Sequence, residues 1–253
     1  MAVESIFYSV SGISCRGALI WDETARGTRP LLLMAPYWRG VIKPTIETGQ
    51  MLADKGYVVF VADMFGEGNG PVGTENPMEF LRPFMADVPG MRRRITAALD
   101  TLTREADRRA IGDVTRRAAI GFCFGGLNVL DLARTGADVQ AVVSMHGTLT
   151  TPQPAKRGDI KAAVLAVHGA ADPIAPKAER DAFEAEMTEA GACWALLTFG
   201  EIVHAFTDPQ ANMAGVAVYD EPATRHGYAL AHAFIADAFA GKRHGCPQPQ
   251  PAQ

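Results

Sequence analysis

Short apolar runs alternate with amphipathic patterns along most of the chain. Continuously apolar runs at 31–35 and 57–62 predict strands buried on both faces of a parallel sheet, and further strand-like runs lie at 118–120, 139–145, 162–167 and 194–199. Apolar positions with helical spacing predict helices over 43–55, 77–87, 89–104, 175–190 and 221–239, with another beginning at Leu127. Two further strands, 6–10 and 16–21, predict a leading antiparallel pair. The alternation predicts an α/β fold with a mainly parallel sheet of about seven or eight strands and helices on both faces.

Length and charge narrow the class of protein. The 253 residues suit one large domain, predicted over 1–241, before a polar Pro/Gln-rich tail at 242–253 that we expect to be disordered. The formal net charge of −4 argues against a nucleic-acid partner. With no long apolar span and no signal-peptide pattern, we expect a cytoplasmic protein that does not bind membranes. The sequence predicts no oligomeric state.

Four cysteines are present, Cys15, Cys123, Cys193 and Cys246. They form no Cys-x-x-Cys pair and have no spacing matched to histidines, so the sequence predicts neither a zinc site nor a disulfide framework. No cofactor motif is present either, because the glycine-rich stretch 63–73 lacks the Gly-Lys-Ser/Thr ending of a P-loop.

The apolar run 118–120 ends in Gly121-Phe-Cys-Phe-Gly125, and a helical pattern follows directly. A strand, a tight turn and a helix in this order hold the central residue above the end of the sheet in a strained conformation. The helix N-terminus beneath Cys123 favours a thiolate. The alternative is a buried structural cysteine beside a glycine-rich turn.

Two later strands are also followed by residues suited to catalysis. Asp172 comes after the strand 162–167, and His204 comes after the strand 194–199. Alone, Asp172 would more often be a turn residue and His204 an ordinary loop histidine. Nucleophile, acid and histidine in this chain order, each beyond a strand, are typical of α/β-hydrolases.

Other residues border the expected site. Tyr37 and Trp38 follow the strand 31–35, in the loop that supplies the second oxyanion-hole N–H in α/β-hydrolases; the alternative is a surface aromatic pair. His146 follows the strand 139–145 and is either a pocket-lining or a turn residue. We expect pocket walls from the loop after Asp63, from 77–94 and from 148–159.

Over about residues 5 to 240, the sequence resembles the dienelactone hydrolase family, a cysteine-bearing branch of the α/β-hydrolases. The matching stretches are Tyr57-Val-Val-Phe-Val-Ala-Asp-Met-Phe-Gly, Gly121-Phe-Cys-Phe-Gly-Gly, His168-Gly-Ala-Ala-Asp-Pro and His204-Ala-Phe-Thr-Asp-Pro. The resemblance implies the α/β-hydrolase fold. It also implies Cys123 as nucleophile, His204 as general base and acid, and Asp172 as the carboxylate that orients His204.

The resemblance further implies that the oxyanion donors are the backbone N–H groups of Phe124 and Trp38. Tyr37 stands where the well-known members carry a glutamate, and Asp208 stands where they carry a substrate-binding arginine. Arg82 is the candidate for their other arginine. Tyr37, Trp38, His146 and Arg82 are therefore the predicted substrate-binding residues.

The function predicted from these features is hydrolysis of a small carboxylic ester or lactone through a thioester intermediate. One alternative is a redox-responsive protein with Cys123 as an oxidisable thiol. The other is a catalytically silent small-molecule-binding homologue that keeps the fold.

Overall fold

The computed structural model describes residues 1–71 and 76–246. Its strands are β1 (Ala2–Val10), β2 (Ile13–Trp21), β3 (Arg29–Ala35), β4 (Val58–Val61), β5 (Gly112–Phe122), β6 (Ala141–Met145), β7 (Ala163–Gly169), β8 (Cys193–Phe199), β9 (Asn212–Met213) and β10 (Ala217–Val218). Its helices are α1 (Lys43–Ala53), α2 (Pro77–Ala86), α3 (Val88–Arg108), α4 (Phe124–Arg134), α5 (Lys177–Ala190) and α6 (Glu221–Phe239).

Eight strands form one sheet in the order β1-β2-β4-β3-β5-β6-β7-β8. β2 runs antiparallel to both of its neighbours, and all other pairs are parallel. The predicted α/β architecture with a mainly parallel sheet and a leading antiparallel pair is confirmed.

The strand order reverses at the β3–β5 pair. After β3 the chain moves toward β4 at one side, and after β5 it moves toward β6 at the other. Ala35 and Gly121 are paired at the carboxyl ends of these two strands. The loops that leave them diverge and open a crevice, which is where open α/β sheets bind ligands. The topology therefore brings the Trp38 loop and Cys123 to one edge.

Apolar side chains on the two faces of the sheet form two cores. On one face, α3, α4 and α5 cover side chains such as Leu31, Leu33 and Val142. On the other, α1 and α6 cover side chains such as Leu32 and Ile120. Central strands are buried on both sides, which explains their uninterrupted apolar sequences.

The last described residues differ from the prediction. Arg243 donates to the carbonyl oxygen of Lys161 at 2.9 Å, and the Trp194 N–H donates to the carbonyl oxygen of Gly245 at 3.2 Å. Cys246 forms a disulfide with Cys193 at the start of β8. The predictions of a disordered segment from 242 and of no disulfide are thus wrong over 242–246, because this segment pairs with the edge strand β8. The rest of the predicted tail, 247–253, lies outside the described residues.

The disulfide generates a stability prediction. It closes a loop across a sequence separation of 53 residues, so replacing both cysteines by alanine (C193A/C246A) should lower the free energy of unfolding by about 2–4 kcal/mol. Chemical denaturation with and without a thiol reductant measures this. Reductant should destabilise the wild type to the level of the double variant and leave the variant unchanged. Equal stability of both proteins without reductant would contradict the prediction.

Candidate active site

Cys123 lies between β5 and α4 in a strained backbone conformation, with φ 54° and ψ −118°. Its backbone N–H donates to the carbonyl oxygen of Met145 at 3.0 Å, which ties the turn to the neighbouring strand β6. The side chain is partly exposed at the edge of the sheet. This is the strand–turn–helix geometry that the sequence predicted.

The glycines around Cys123 are required because the backbone segments touch. A Cβ on Gly121 would lie 2.0 Å from the carbonyl oxygen of Gly125, and one on Gly125 would lie 2.0 Å from that of Ala35. The first turn of α4 therefore packs directly against the end of β3. This packing holds the backbone N–H of Phe124 near the loop that carries Trp38. Phe124 is the first residue of α4, so no carbonyl four residues earlier in the helix accepts from its N–H.

Asp172 follows β7 and is 2% exposed. One carboxylate oxygen accepts the N–H groups of Ile174 and Ala175 at 2.8 and 3.2 Å, and the other accepts a hydrogen bond from Nδ1 of His204 at 2.8 Å. Burial opposes ionisation, but the bond and charge of His204 hold the pKa of Asp172 below its usual value. The carboxylate is therefore ionised at neutral pH.

His204 is buried, and its ring is hydrogen-bonded to Asp172 through Nδ1. Its Nε2 has no hydrogen-bond partner among the described residues. Burial disfavours the charged ring, but the Cys123 charge, the hydrogen bond to Asp172 and the Asp172 charge outweigh it and raise the pKa of His204 to about 10. The ring is therefore charged at neutral pH, and its Nε2 is left without a competing partner.

A small hairpin fixes the backbone of His204. The His204 N–H donates to the carbonyl oxygen of Val216 at 3.0 Å, and its carbonyl oxygen accepts from Val218 at 3.1 Å. Both partners belong to the turn and second strand of the β9–β10 pair. The sequence analysis missed this hairpin because its two-residue strands leave no apolar run to recognise.

Tyr37 and Trp38 are both half-buried, and they pack against opposite cores of the sheet, Tyr37 against the α1/α6 side and Trp38 against the α3/α4 side. Burial and the Asp208 charge raise the pKa of Tyr37 to about 12. The Arg39 guanidinium lies 5.2 Å from the Trp38 ring centroid. Anchoring on both faces holds this loop at the edge that carries Cys123.

Of the other predicted substrate-binding residues, His146 is next to the cluster and Arg82 is not connected to it. The His146 ring centroid is 5.2 Å from that of His204. Arg82 is exposed on α2 and has no hydrogen bond or ion pair with any described residue, so its role stays a prediction. A third histidine, His168, for which the sequence predicted no role, has Nε2 at 3.6 Å from the Asp172 carboxylate.

A small cavity opens one helical turn beyond Cys123. It is lined by Met85, Val88, Met91, Leu127, Asp131 and residues 150–152. All but Leu127 and Asp131, which lie on α4, belong to two of the three predicted pocket walls, and most of the lining residues are apolar. Part of the third wall, 72–73, lies outside the described residues.

Neither a metal-binding cluster nor a membrane-spanning helix is found in the described part of the chain. Across residues 1–71 and 76–246, no three His, Cys, Asp or Glu side chains meet in a way that could hold a metal ion. Within the same residues, no helix is both long enough and apolar enough to cross a membrane.

The fold and this edge of the sheet define a protein of the α/β-hydrolase class. The model of the "Dienelactone hydrolase family" matches residues 17–239, and the chain therefore belongs to that family. This confirms the resemblance found in the sequence.

Relatives agree with this assignment. An uncharacterized Caenorhabditis elegans protein is 35% identical over 159 residues, which cover 59% of this chain and 95% of that protein. An Escherichia coli O157:H7 protein, provisionally named a carboxymethylenebutenolidase, is 25% identical over 71% of this chain and 68% of its own. A solved structure from metagenomic libraries, the dienelactone hydrolase-like promiscuous phosphotriesterase P91, superposes with a TM-score of 0.86. It is 32% identical and covers 94% of this chain and 98% of its own.

The glycine contacts generate a prediction. Replacing Gly121 by alanine (G121A) should destabilise the protein by about 1–3 kcal/mol, because the new Cβ would meet backbone that cannot turn away. Gly200 is the matched control, since a Cβ there meets nothing within 4 Å and G200A should change stability by less than about 0.5 kcal/mol. Thermal unfolding of both variants tests this, and an unchanged G121A would refute the close contact.

Proposed function

We propose that this family member hydrolyses a small carboxylic ester or lactone through a Cys123–His204–Asp172 triad. The observation that carries the proposal is the orientation of His204, whose Nδ1 is bonded to a buried carboxylate at 2.8 Å while its Nε2 has no hydrogen-bond partner among the described residues. Such an orientation leaves Nε2 for proton exchange with the nucleophile.

In the first step, the Cys123 thiolate attacks the carbonyl carbon, and the carbonyl electron pair moves to oxygen. The backbone N–H groups of Phe124 and Trp38 are the proposed donors to this oxyanion, each contributing about 3 kcal/mol. Contact between the α4 start and the end of β3 supports the pairing of these two donors. The tetrahedral intermediate then expels the alkoxide, which takes the proton of His204, and a thioester remains.

In the second step, His204 removes a proton from water, and the hydroxide formed attacks the thioester. The Cys123 thiolate leaves with the electron pair of the C–S bond, and the carboxylic acid product departs. The proton that His204 took from water restores the charged ring for the next cycle. A thiolate is also a good leaving group, so an amide substrate would tend to return to starting material. Esters and lactones are therefore favoured over peptides.

Charges at the mouth of the site favour neutral substrates. The carboxylate of Asp208 and the guanidinium of Arg39 both act on Tyr37, with opposite signs. These two charges oppose each other, so they provide no net positive potential that would attract a substrate carboxylate. We expect neutral aryl esters and simple lactones to be better substrates than their carboxylate-bearing counterparts.

Phosphotriesters are a second candidate substrate class. The observation that favours them is the 32% identity, over 94% of this chain, to a structure described as a promiscuous phosphotriesterase. A thiolate that attacks a carbonyl carbon is also able to attack phosphorus. An assay panel should therefore hold a nitrophenyl phosphotriester beside the esters and lactones.

Replacing Cys123 by alanine (C123A) should lower kcat for p-nitrophenyl acetate by at least about 10³-fold, because the nucleophile is lost. Cys15 supplies the matched control. It is the other free thiol, it is buried, and its burial raises its pKa to about 11, so C15A should keep wild-type kcat. Wild-type activity in C123A would reject the proposal.

The same assay separates the alternatives. A burst of nitrophenol without turnover would indicate acylation with blocked deacylation, and no reaction would indicate a silent binding protein. Reversible oxidation of Cys123 in cells, without ester turnover, would support the redox alternative.

The pH profile provides a further prediction. Because the pKa of His204 is raised to about 10, its acid form is present through neutral pH, and kcat/KM should fall as pH rises through about 10. Replacing Asp172 by asparagine (D172N) removes a charge that favours the imidazolium, so this fall should move to lower pH. Stopped-flow assays in overlapping buffers measure both profiles. If kcat/KM of the wild type and of D172N falls at the same alkaline pH, the assigned role of Asp172 is contradicted.

A cytoplasmic location remains our proposal. A reducing cytoplasm opposes the Cys193–Cys246 disulfide, so thiol trapping of these two cysteines in cells is the measurement that bears on it.

A further inference from the structure

His146 is a buried histidine that the proposed mechanism does not use. It directly follows β6, is 1% exposed, and has the left-handed φ of 41° that residues with a Cβ adopt rarely. Its backbone N–H donates to the carbonyl oxygen of Val167 at 2.8 Å. The surrounding contacts therefore hold this residue in a conformation it would not adopt alone.

Besides a ring contact with Phe122 on β5, with centroids 6.3 Å apart, the His146 ring contacts the segment that carries His204. Nε2 is bonded to the hydroxyl of Thr207 at 2.7 Å. The ring centroid lies 5.2 Å from that of His204 with the planes at 70°, and 5.0 Å from that of Phe206 with the planes at 78°. The His146 ring thus packs edge-to-face against His204, and its hydrogen bond holds it to Thr207, three positions after His204.

His204 needs such a support for a geometric reason. The hydrogen bond from Nδ1 to Asp172 fixes one point of the His204 ring but still allows the ring to tilt about that point. A tilt would move Nε2 relative to the Cys123 sulfur, and a displacement of about 1 Å can reduce a rate about 10²-fold. Contact with the His146 ring prevents this tilt.

We propose that His146, held by Thr207, is a positioning residue that fixes the plane of the His204 ring for proton exchange with Cys123. The inference rests on the proposed function and deepens it by adding two residues to the site. It requires a neutral His146, since a second cation 5.2 Å from a charged His204 would oppose it.

The surroundings favour that neutral state. Burial and the neighbouring His204 and His168 rings hold the pKa of His146 well below its usual range. The ionisable groups facing His204 itself are Cys123 and Asp172, which favour its charged form. One imidazole is thus kept neutral beside one that is charged.

The test is a double-mutant cycle on p-nitrophenyl acetate hydrolysis. H146F keeps an aromatic ring and loses the hydrogen bond, and T207V loses the same bond from the other side. Each should lower kcat about 10-fold with KM within about twofold, and the double variant should be no slower than H146F alone, since both remove one interaction. H146A should lower kcat about 10²-fold.

H146A should also move the alkaline limb of kcat/KM to lower pH, because water that enters beside His204 weakens its attraction to the thiolate. F199L is the matched packing control. Phe199 contacts Phe206, with ring centroids 5.9 Å apart, but has no ring contact with His146 or His204 among the described residues. This variant should lose stability with an unchanged alkaline limb.

Wild-type kcat and pH profile in H146A would overturn the inference, and so would fully additive losses in H146F/T207V. If H146A fails to fold, the double-mutant cycle of H146F and T207V still tests the inference. If the wild type itself hydrolyses no ester, the ultraviolet titration of the Cys123 thiolate takes the place of kcat. Identical titration curves for the wild type and T207V would then reject the positioning role independently of the proposed function.

Discussion

The contact between the first turn of α4 and the end of β3 is the constraint on which the site depends. No Cβ fits at Gly121 or Gly125, so the backbones of two strands and one helix meet at van der Waals distance. Cys123 is held above this contact at a φ of 54°. The same contact brings the free N–H groups of a helix start beside the loop that carries Trp38. The proposed nucleophile and the proposed oxyanion donors are thus positioned by one packing contact.

Backbone strain is present at this edge. Of the six non-glycine residues with positive φ in the described part of the chain, Cys123, His146 and Ala205 lie in or next to the proposed site. Such conformations cost about 1–3 kcal/mol each and persist where surrounding contacts over-determine them. Here the contacts are hydrogen bonds to neighbouring strands and the β9–β10 hairpin around His204. A rigid scaffold therefore stabilises residues that would relax in an isolated loop.

Burial controls the electrostatics of the three histidines near the edge. His146 and His168 are held below their usual pKa by burial, whereas His204 is raised because Cys123 and Asp172 flank it. Charge interactions are strong where water is excluded. Asp172 also lies near His168, but burial outweighs its charge there, so the three imidazoles take different charge states and His204 is the one that is positively charged at neutral pH.

Local pattern in the sequence determined the fold class, nearly all major elements, the turn at Cys123, and the acid and histidine beyond their strands. These follow from hydrophobic period and turn chemistry, which are properties of neighbouring residues. Only the tertiary structure decided the Cys193–Cys246 pairing, the His146–Thr207 bond across 61 positions, and the hairpin that clamps His204. Those contacts join residues far apart in the chain, and they exist because the order of strands in the sheet brings their loops to a common edge.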